Sequence, residues 1–424
     1  MTEQLAKGHL AAIVSCGDEL TTGRTVDTNS AWLSQQLGEL GVTVVQHVTV
    51  PDDAAATTDA IARSAEVAGW VVLTGGLGPT PDDLTRQAVA DLFSEPLEIR
   101  PDSLAQIQAW FVRFNRPMAE ANKIQAYAPR SAAMIRNDWG TAPGLRFTLR
   151  GSECFCLPGV PSEMRGMFGA AVAPVIRQRI GGEGVVAVRT VHTFGIGESD
   201  LAGRLGDLLA RGRNPQLGTT AAAGSVSVRI YARADSASAA AAMIEQADRA
   251  VVDRLGNELC IGRDGQSLES VVGDLLRASG QTLALAESCT GGLLGGMITA
   301  VPGSSDYFLE SAVTYANRAK VARLDVAEQT LAKFGAVSEQ VCAEMAAGIR
   351  KTASADWGIS ITGIAGPDGG SVEKPVGLVF IGIAGPGGAA PRVHRHVFPG
   401  EREIVRMRSA RNAMNWLRLE LLGK

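Results

Sequence analysis

A serine, a tyrosine and a lysine lie within 16 residues of one another in the last third of the chain. Gly303-Ser304-Ser305 precedes a short apolar segment that ends at Tyr315, and Lys320 follows. A serine hydroxyl needs a neighbouring base to become a nucleophile. A lysine can be that base when burial lowers its pKa, and a tyrosine can orient or relay the proton. The spacing is also explained by an N-cap serine, a half-buried tyrosine and a surface lysine.

Two glycine-rich segments in the same region follow predicted strands. The strand at 282–286 runs into Ser288-Cys289-Thr290-Gly291-Gly292, and the strand at 359–362 runs into Gly363-Ile364-Ala365-Gly366-Pro367. Glycines at such a junction let backbone N–H groups approach an anion, and the N-terminus of the next helix adds positive potential. Each segment alone is equally consistent with a tight turn that binds nothing. Together they favour a site for a phosphate and a sugar.

The N-terminal part of the chain has a comparable pattern. An apolar run at 10–15 ends at Gly17-Asp18-Glu19, and a second run at 70–73 ends in the loop from Thr74 to Thr80. Asp27 offers N-cap chemistry for a helix. Asp82 and Asp83 lie at a predicted helix start, where acids are stabilising whether or not they bind a ligand. Carboxylates and glycine loops therefore meet at predicted strand ends in this part too.

Alternating strands and helices predict an α/β fold with parallel sheets, whose ligand loops lie at the carboxyl ends of the strands. The 424 residues are too many for one ordinary core, and two or three domains are expected. Gly181-Gly182-Glu183-Gly184 is the clearest linker. The predicted domains are residues 1–180, a small α+β connector at 185–257 with strand and helix order β-α-β-β-α, and residues 260–424.

The composition excludes several classes of protein. The net charge of −4 and the lack of a basic stripe argue against a nucleic-acid or membrane-surface protein. No signal peptide or apolar run long enough to span a membrane is visible, and the dispersed cysteines are read as free thiols, so a cytoplasmic location is expected. The histidines do not cluster with the motifs. Any metal is therefore expected to be held by carboxylates.

The C-terminal motifs resemble the C-terminal domain of the CinA family, which has the fold of nicotinamide mononucleotide deamidase. They are Ala286 to Gly292, Gly303-Ser304-Ser305, Val313 to Asn317, Gly335 to Ser338 and Thr362 to Gly370. The resemblance implies a serine nucleophile at Ser305, with the adjacent Ser304 as an alternative, working with Tyr315, Lys320 and Arg402 and without a metal. The implied substrate-binding residues are Ser288, Thr290, Gly291, Gly292, Ser304, Gly363, Ala365 and Gly366.

The N-terminal motifs resemble the first CinA domain, which is similar to molybdopterin-binding domains and looks like a metal-dependent ADP-ribose pyrophosphatase. Cleaving a diphosphate usually requires a divalent cation to neutralise charge. The resemblance implies a Mg, Co or Mn ion held by Asp18, Glu19, Asp27, Asp82 and Asp83. The substrate would contact Thr74, Gly75, Gly76, Gly78, Thr80 and Asn29. The middle segment resembles the family's KH-like connector, but Gly195-Ile196-Gly197-Glu198 is not the GXXG loop of RNA-binding KH domains.

The leading hypothesis is a bifunctional hydrolase of pyridine nucleotides. It would deamidate nicotinamide mononucleotide in the C-terminal domain and cleave ADP-ribose or a related dinucleotide in the N-terminal domain. Its expected partners are these small nucleotides and a second copy of the chain, with no nucleic acid and no membrane. One alternative is a pterin-binding protein related to molybdenum-cofactor assembly, since a fold does not decide a function. Another is a non-catalytic scaffold associated with competence.

Overall fold

A computed structural model describes residues 7–180, 185–222 and 225–424. The chain divides into two compact units, one of residues 1–188 with 232–242 and one of residues 189–231 with 243–424. The predicted linker Gly181-Gly182-Glu183-Gly184 lies outside the described residues. Helices and strands alternate through most of the chain, which confirms the α/β class predicted from the sequence.

The first unit contains a mixed sheet with helices on its faces. Its strands are β1 (Leu10–Cys16), β2 (Thr43–Val50), β3 (Trp70–Thr74), β4 (Glu98–Ile99), β5 (Tyr127–Ala128), β6 (Ala133–Ile135), β7 (Gly144–Leu149) and β8 (Ser152–Leu157). Its helices are α1 (Asp18–Thr21), α2 (Thr28–Glu39), α3 (Ala54–Val67), α4 (Thr85–Phe93), α5 (Pro101–Arg113), α6 (Pro161–Met167) and α7 (Ala173–Ile180). Strands β4 and β5 form a separate two-stranded ladder.

The sheet order is β2-β1-β3-β8-β7-β6. Strands β2, β1, β3 and β8 are parallel to one another, whereas β7 pairs antiparallel with β8 and β6 pairs antiparallel with β7. The central strands β3 and β8 are buried along their whole length, as expected for strands covered by helices on both faces. The loops after β1, β3 and β8 therefore meet at one edge of the sheet.

The connector follows the predicted order of elements. It consists of β9 (Val185–Thr193), α8 (Glu198–Leu205), β10 (Gln216–Ala222), β11 (Ser225–Ala234) and α9 (Ala237–Leu255). A further strand, β12 (Cys260–Arg263), pairs antiparallel with β9, giving a sheet of order β10-β11-β9-β12. Cys260, where the third domain was predicted to begin, thus lies in the sheet of the connector.

The C-terminal part is a five-stranded sheet flanked by helices. Its strands are β13 (Leu283–Glu287), β14 (Phe308–Val313), β15 (Trp357–Gly363), β16 (Leu378–Ala384) and β17 (Arg392–Val397). Its helices are α10 (Leu268–Ser279), α11 (Leu293–Thr299), α12 (Asn317–Leu324), α13 (Glu328–Phe334), α14 (Glu339–Thr352) and α15 (Arg402–Leu421). Ser267 caps α10 as the sequence predicted, through a capping box with Ser270.

The order of this sheet is β14-β13-β15-β16-β17. Strand β13 is parallel to β14 and to β15, and the last two strands are antiparallel. An apolar core on one face joins α10, α11 and α15 to the sheet, and a second core on the other face involves α12 and α14. The carboxyl ends of β13, β14 and β15 consequently share one edge. Nowhere in the described parts of the chain is a helix long and apolar enough to cross a membrane.

Candidate active sites

A buried lysine and a buried serine meet at the carboxyl edge of the C-terminal sheet. Lys320, on α12, is only 1% exposed, and its Nζ lies 3.1 Å from the Oγ of Ser288. Ser288 is the first residue after β13 and is 9% exposed. The amine also donates to the carbonyl oxygens of Thr314 at 2.8 Å and Tyr315 at 3.2 Å. These contacts fix the amine beside the hydroxyl.

Burial shifts Lys320 towards its neutral form, which is the form that a base requires. Burial lowers the pKa of Lys320 from its ordinary value of 10.5, and the lysine forms no ion pair with any described carboxylate. A neutral amine has two N–H groups and one lone pair. In the neutral form the two carbonyls, which can only accept, would take both N–H groups and leave the lone pair for the Ser288 hydroxyl. This arrangement suits a serine nucleophile and a lysine base.

Ser305, the predicted nucleophile, lies elsewhere. It is exposed, in a short 3-10 turn at Ser304–Asp306 that precedes β14. Lys320 comes after the far end of β14, and a strand of six residues spans about 20 Å. The turn instead contacts α10, where Arg277 donates to the carbonyl of Gly303 at 3.4 Å. The structure therefore does not support the predicted pairing of Ser305, or of Ser304, with Lys320, and it offers Ser288 in that position.

Ser288 begins a sharp turn between β13 and α11. Gly291 and Gly292 have φ angles of 62° and 91°, a left-handed conformation that other residues rarely adopt. A serine on a strand-to-helix turn of this kind resembles the nucleophile elbow of other hydrolases. That feature was visible in the sequence, where Ser288 was assigned to substrate binding. The pairing of Ser288 with Lys320 was not visible, because 32 residues separate the two.

The amides at the start of α11 are already occupied by a carboxylate of the protein. Glu287 is fully buried and accepts from the backbone N–H groups of Gly292 at 3.1 Å, Leu294 at 3.1 Å and Gly295 at 2.8 Å. Ser311 donates to the same carboxylate at 3.1 Å. An anion at a helix N-terminus is stabilised by these N–H groups and by the helix dipole. The amide of Gly292, which was predicted to face a substrate phosphate, is therefore already bound to Glu287.

Two arginines of α15 lie beside the serine turn. Arg402 donates to the hydroxyl of Tyr315 at 3.1 Å and to the carbonyl of Gly366 at 2.8 Å. Arg406 donates to the carbonyl of Thr290 at 2.7 Å. Both line a cavity of about 800 Å³ together with Ala365, Gly366, Pro367, Val376, Gly400, Glu401 and Glu403. Tyr315, Arg402 and the Gly366 loop are thus brought together as predicted, whereas Arg406 was missed.

Two other predicted residues of this site, Gly363 and Thr290, lie in closely packed surroundings. Gly363 ends β15, and a side chain there would lie 2.7 Å from the carbonyl oxygen of Leu378, so the close approach of β16 requires glycine. The hydroxyls of Thr290 and of Thr314, which was not predicted, are buried and have no hydrogen-bond partner among the described residues. Because each of these hydroxyls is buried without a partner, each is a candidate contact for a water or a substrate atom.

The N-terminal unit has its own cavity, of about 390 Å³, at the carboxyl edge of its sheet. Its lining comes from the loops that follow β1, β2, β3 and β8, from the segments before β5 and β7, and from the first turn of α6. The residues are Cys16, Gly17, Glu19, Asp52, Gly75, Gly76, Leu77, Gly78, Pro79, Asp83, Gln125, Thr141, Ala142, Pro158, Gly159, Val160 and Glu163. The predicted glycine loop and two of the predicted carboxylates, Glu19 and Asp83, therefore belong to one site.

The glycine loop after β3 is held by two charged side chains. Asp83 accepts from the amide of Gly78 at 2.7 Å and from the amide and hydroxyl of Thr80 at 2.8 and 2.6 Å. Arg86 is 2% exposed and donates to the carbonyls of Leu77 and Gly78, and burial lowers its pKa to about 10. The predicted amides of Gly78 and Thr80 thus face a carboxylate of the protein. Asp83 therefore binds the amides that were expected to bind a substrate anion, as Glu287 does in the C-terminal domain.

The five predicted metal ligands do not converge. Asp27 caps α2 and accepts from the amide and hydroxyl of Ser30, and Asp83 clamps the glycine loop. The carboxylate of Asp18 accepts from the amide of Asp52 at 3.2 Å, and the amide of Asp18 donates to the carboxylate of Asp52 at 3.1 Å. Within the described residues, no three His, Cys, Asp or Glu side chains are grouped so as to hold a metal ion. The predicted five-carboxylate cage is therefore not present.

Four carboxylates nevertheless form an acidic edge, namely Asp52 with Asp18, Glu19 and Asp82. Burial, together with the negative charges of Asp18, Glu19 and Asp82, raises the pKa of Asp52. Uncompensated negative charge of this kind is what a bound cation would neutralise. Magnesium sites often use one or two carboxylates plus the phosphates of the substrate rather than a closed protein cage. Asp52, which the sequence did not single out, is the best-placed carboxylate for such a site.

Asn29 ties the start of α2 to the neighbouring strand ends. Its amide donates to the hydroxyl of Thr74 at 3.2 Å and to the carbonyl of Gly159 at 2.7 Å. Its carbonyl oxygen is buried and has no donor among the described residues. The hydroxyl of Thr74 donates to the carbonyl of Pro158 at 3.0 Å. Both predicted binding residues therefore have a structural contact, and Asn29 keeps one free acceptor.

Comparisons with known proteins match three successive segments of the chain. Residues 12–178 match a family model described as a molybdopterin binding domain, residues 188–259 the KH domain of damage-inducible protein CinA, and residues 265–421 the CinA C-terminal domain. A competence-damage inducible protein of Symbiobacterium thermophilum is 43% identical over 98% of this chain and 99% of its own length. A CinA-like protein of Synechococcus elongatus is 42% identical over 98% of each. The crystal structure of the protein CinA from Thermoplasma acidophilum is 33% identical, covering 40% of this chain and 99% of that one, with a TM-score of 0.38.

Proposed function

Because the chain belongs to the CinA family, we propose that its C-terminal domain is an amidohydrolase that converts nicotinamide mononucleotide to nicotinate mononucleotide and ammonia. The observation that carries this proposal is the buried Lys320 amine 3.1 Å from the Ser288 hydroxyl. A serine with an adjacent neutral base suits attack on a carboxamide. The two arginines in the adjoining cavity suit a substrate that carries a phosphate.

The proposed reaction runs through an ester of Ser288. The Ser288 oxygen bonds to the carboxamide carbon while Lys320 takes the hydroxyl proton. The C–N bond then breaks, and the nitrogen leaves as ammonia with the proton returned from Lys320. Water attacks the ester carbon and loses a proton to Lys320. The bond between that carbon and the Ser288 oxygen breaks as Lys320 returns the proton to the serine, and the product acid loses its remaining proton to solvent as the carboxylate. The amides of Cys289 and Thr290, at the turn after the serine, are the candidate donors to the oxyanion.

The phosphate is assigned to the arginine cavity. The amides at the start of α11 are bound to Glu287, so they are not free for an anion. Arg402 and Arg406 line an open cavity beside the serine turn, and guanidinium groups bind phosphate through paired donors. Tyr315 is 60% exposed and its hydroxyl accepts from Arg402, one of the residues that line this cavity. Arg402 would thus bind the phosphate in the cavity while it contacts Tyr315, whose carbonyl binds Lys320.

The direct test is a product assay on the full chain. Nicotinamide mononucleotide should yield equal amounts of ammonia and nicotinate mononucleotide, and a chelator should leave the rate unchanged, because the mechanism uses only side chains. Nicotinamide riboside, which lacks the phosphate, should react with a much higher Michaelis constant. Absence of ammonia release, or equal use of the riboside, would contradict the proposed substrate.

For the N-terminal domain we propose cleavage of ADP-ribose, or a related dinucleotide, at its diphosphate. Two observations support this proposal: the cavity at the ends of β1, β3 and β8, and the acidic edge around Asp52. Asp52, with Asp18, Glu19 or Asp82, would hold a divalent cation, which would neutralise charge on the diphosphate. AMP release from ADP-ribose that requires Mg, Mn or Co and stops on chelation is the expected result. AMP formation that persists without a metal would remove this part of the proposal.

A second candidate for this domain is pterin binding, favoured by the match of residues 12–178 to the molybdopterin binding model. The two candidates differ in outcome. A pterin-binding domain would quench the fluorescence of an added pterin at micromolar concentration and would release no AMP from ADP-ribose. A pyrophosphatase would release AMP from ADP-ribose and would leave the fluorescence of the pterin unchanged.

A further inference from the structure

A carboxylate that the sequence did not single out lies in the N-terminal cavity. Glu163 is in the first turn of α6, immediately after the loop that follows β8. It lines the same 390 Å³ cavity as the glycine loop. The other carboxylates that line this cavity are Glu19, Asp52 and Asp83. Unlike Asp83, whose two oxygens are engaged by the glycine loop, Glu163 has an oxygen left for a ligand.

One oxygen of Glu163 is held by a rigid asparagine. The Asn137 amide donates to Glu163 Oε2 at 2.6 Å and to the carbonyl of Ala142 at 2.9 Å. Asn137 is 1% exposed, and its own oxygen accepts from the amide of Trp139 at 2.9 Å. Every polar atom of the Asn137 side chain is therefore used. The other Glu163 oxygen receives no hydrogen bond from any described residue.

The backbone makes room for this carboxylate. A side-chain carbon added to Gly140 would lie 2.0 Å from the carboxyl carbon of Glu163, which is far inside contact distance. The Gly140 φ angle is not among the positive ones. Glycine at 140 is therefore explained by the space that the carboxylate needs, not by the backbone conformation. Asn137 and Gly140 together fix one position for the Glu163 side chain.

Glu163 also lacks a cation. It forms no ion pair with any described lysine or arginine, and burial raises its pKa above the ordinary 4.5. A carboxylate that is oriented by a neutral amide, unpaired and directed at a ligand cavity is typical of a general base. Structural acids in this unit have different surroundings. Glu153, for example, is paired with Arg146 and Arg179.

We propose that Glu163 is the general base of the N-terminal domain and takes a proton from the water that attacks a phosphorus of the substrate diphosphate. The water oxygen bonds to phosphorus, and the bridging P–O bond breaks with its electron pair on the departing phosphate. The water proton resides on the free oxygen of Glu163 before it passes to solvent. The departing phosphate needs no proton donor, because the second pKa of a phosphate monoester is about 6. This inference rests on the diphosphate cleavage proposed above.

The test compares three variants of the full chain on ADP-ribose with a saturating divalent metal. Glu163→Gln keeps the shape and the contact with Asn137 but removes the base, so kcat should fall about a hundred- to ten-thousand-fold. Binding of the product AMP should stay within about threefold of the unmodified protein. Glu163→Ala should lose as much activity, and added acetate should restore it at least about tenfold, which acetate cannot do where glutamine fills the space. Glu39→Gln, at the exposed end of α2, is the matched control.

The outcomes separate this inference from the proposed function. An active unmodified protein with an inactive, AMP-binding Glu163→Gln variant and acetate rescue of Glu163→Ala supports the assignment. An active protein in which Glu163→Gln retains more than about a third of kcat overturns the assignment and leaves the pyrophosphatase standing. An unmodified protein that cleaves neither ADP-ribose nor other dinucleotides under any metal overturns both. Glu163→Ala without acetate rescue reduces Glu163 to a structural residue.

Discussion

Replacing Lys320 tests the chemistry of the C-terminal site in the most detail. Lys320→Met keeps a chain of similar length that can be buried without charge. It removes the base, and general-base catalysis contributes typically about a hundred- to ten-thousand-fold. At 1.36 kcal/mol per factor of ten, this loss corresponds to about 3 to 5 kcal/mol of transition-state stabilisation. The carbonyls of Thr314 and Tyr315 lose a donor as well, which should lower stability by about 1–3 kcal/mol.

The pH dependence has a definite sign. Burial lowers the pKa of Lys320 below 10.5, and only the neutral amine can accept the Ser288 proton. The value of kcat/KM should therefore rise as the pH rises through the pKa of the folded protein and then level off. Because the unfolded chain binds this proton more tightly, folding stability should rise over the window between the lowered pKa and 10.5. Below the lowered pKa, both the folded and the unfolded chain carry the proton on Lys320. The destabilisation caused by burying this charge therefore no longer changes with pH.

The assay is ammonia release from nicotinamide mononucleotide across this pH range. Lys320→Met should lack the rising limb, and Lys320→Arg should not restore activity, since a guanidinium stays protonated. Lys351→Met is the matched control, because Lys351 is 77% exposed and only pairs with Asp325 at the surface. A Lys320→Arg variant with near-normal kcat and a raised KM would refute the reasoning. Lys320 would then act as a charge for the substrate, not as a base.

Three further substitutions extend the test. Arg402→Ala should raise KM for nicotinamide mononucleotide at least about tenfold with a smaller change in kcat, and Arg402→Lys should recover part of it; an unchanged KM would remove the phosphate from this cavity. Asp83→Asn should weaken ADP-ribose cleavage, because an amide nitrogen cannot accept from Gly78 or Thr80, while ammonia release stays normal; loss of both activities would contradict a local effect. Arg418→Met should lower the free energy of unfolding by about 1–3 kcal/mol. The reason is that the buried guanidinium donates to the carbonyls of Asn257, Glu258 and Cys260. A thermal melt measures the effect, and an unchanged melting temperature would contradict it.

Most elements could be predicted from the sequence because local signals define them. The run at 10–15 became β1, and the run at 70–73 became β3. Asp27 and Ser267 cap helices as their positions before apolar periodic segments indicated. Boundaries moved by one or two residues, which is ordinary for helix and strand ends. The strand after the connector was different, since nothing local shows that β12 pairs with β9.

The sites were predicted less completely, because chemistry depends on pairs that are distant in the chain. The residues Tyr315, Lys320 and Arg402 were identified, and they do gather at one edge. The nucleophile was predicted at Ser305, which is close to Lys320 in sequence, but β14 separates these two in space and Ser288 lies beside the lysine. The glycine loops were taken as anion sites, and their acids, Glu287 and Asp83, turned out to bind the amides. Carboxylates next to glycine turns should be weighed as internal anions before a phosphate is assigned.

The most direct test of the central claim compares Ser288→Ala with Ser305→Ala in the full chain. Both remove a single hydroxyl, and their ammonia release from nicotinamide mononucleotide can be measured under identical conditions. The Ser288–Lys320 contact predicts that Ser288→Ala loses activity to the background rate while substrate binding persists. It predicts that Ser305→Ala, altered at an exposed turn, keeps activity within about threefold of the unmodified chain. An active Ser288→Ala protein, or an inactive Ser305→Ala protein that is fully folded, would contradict the account.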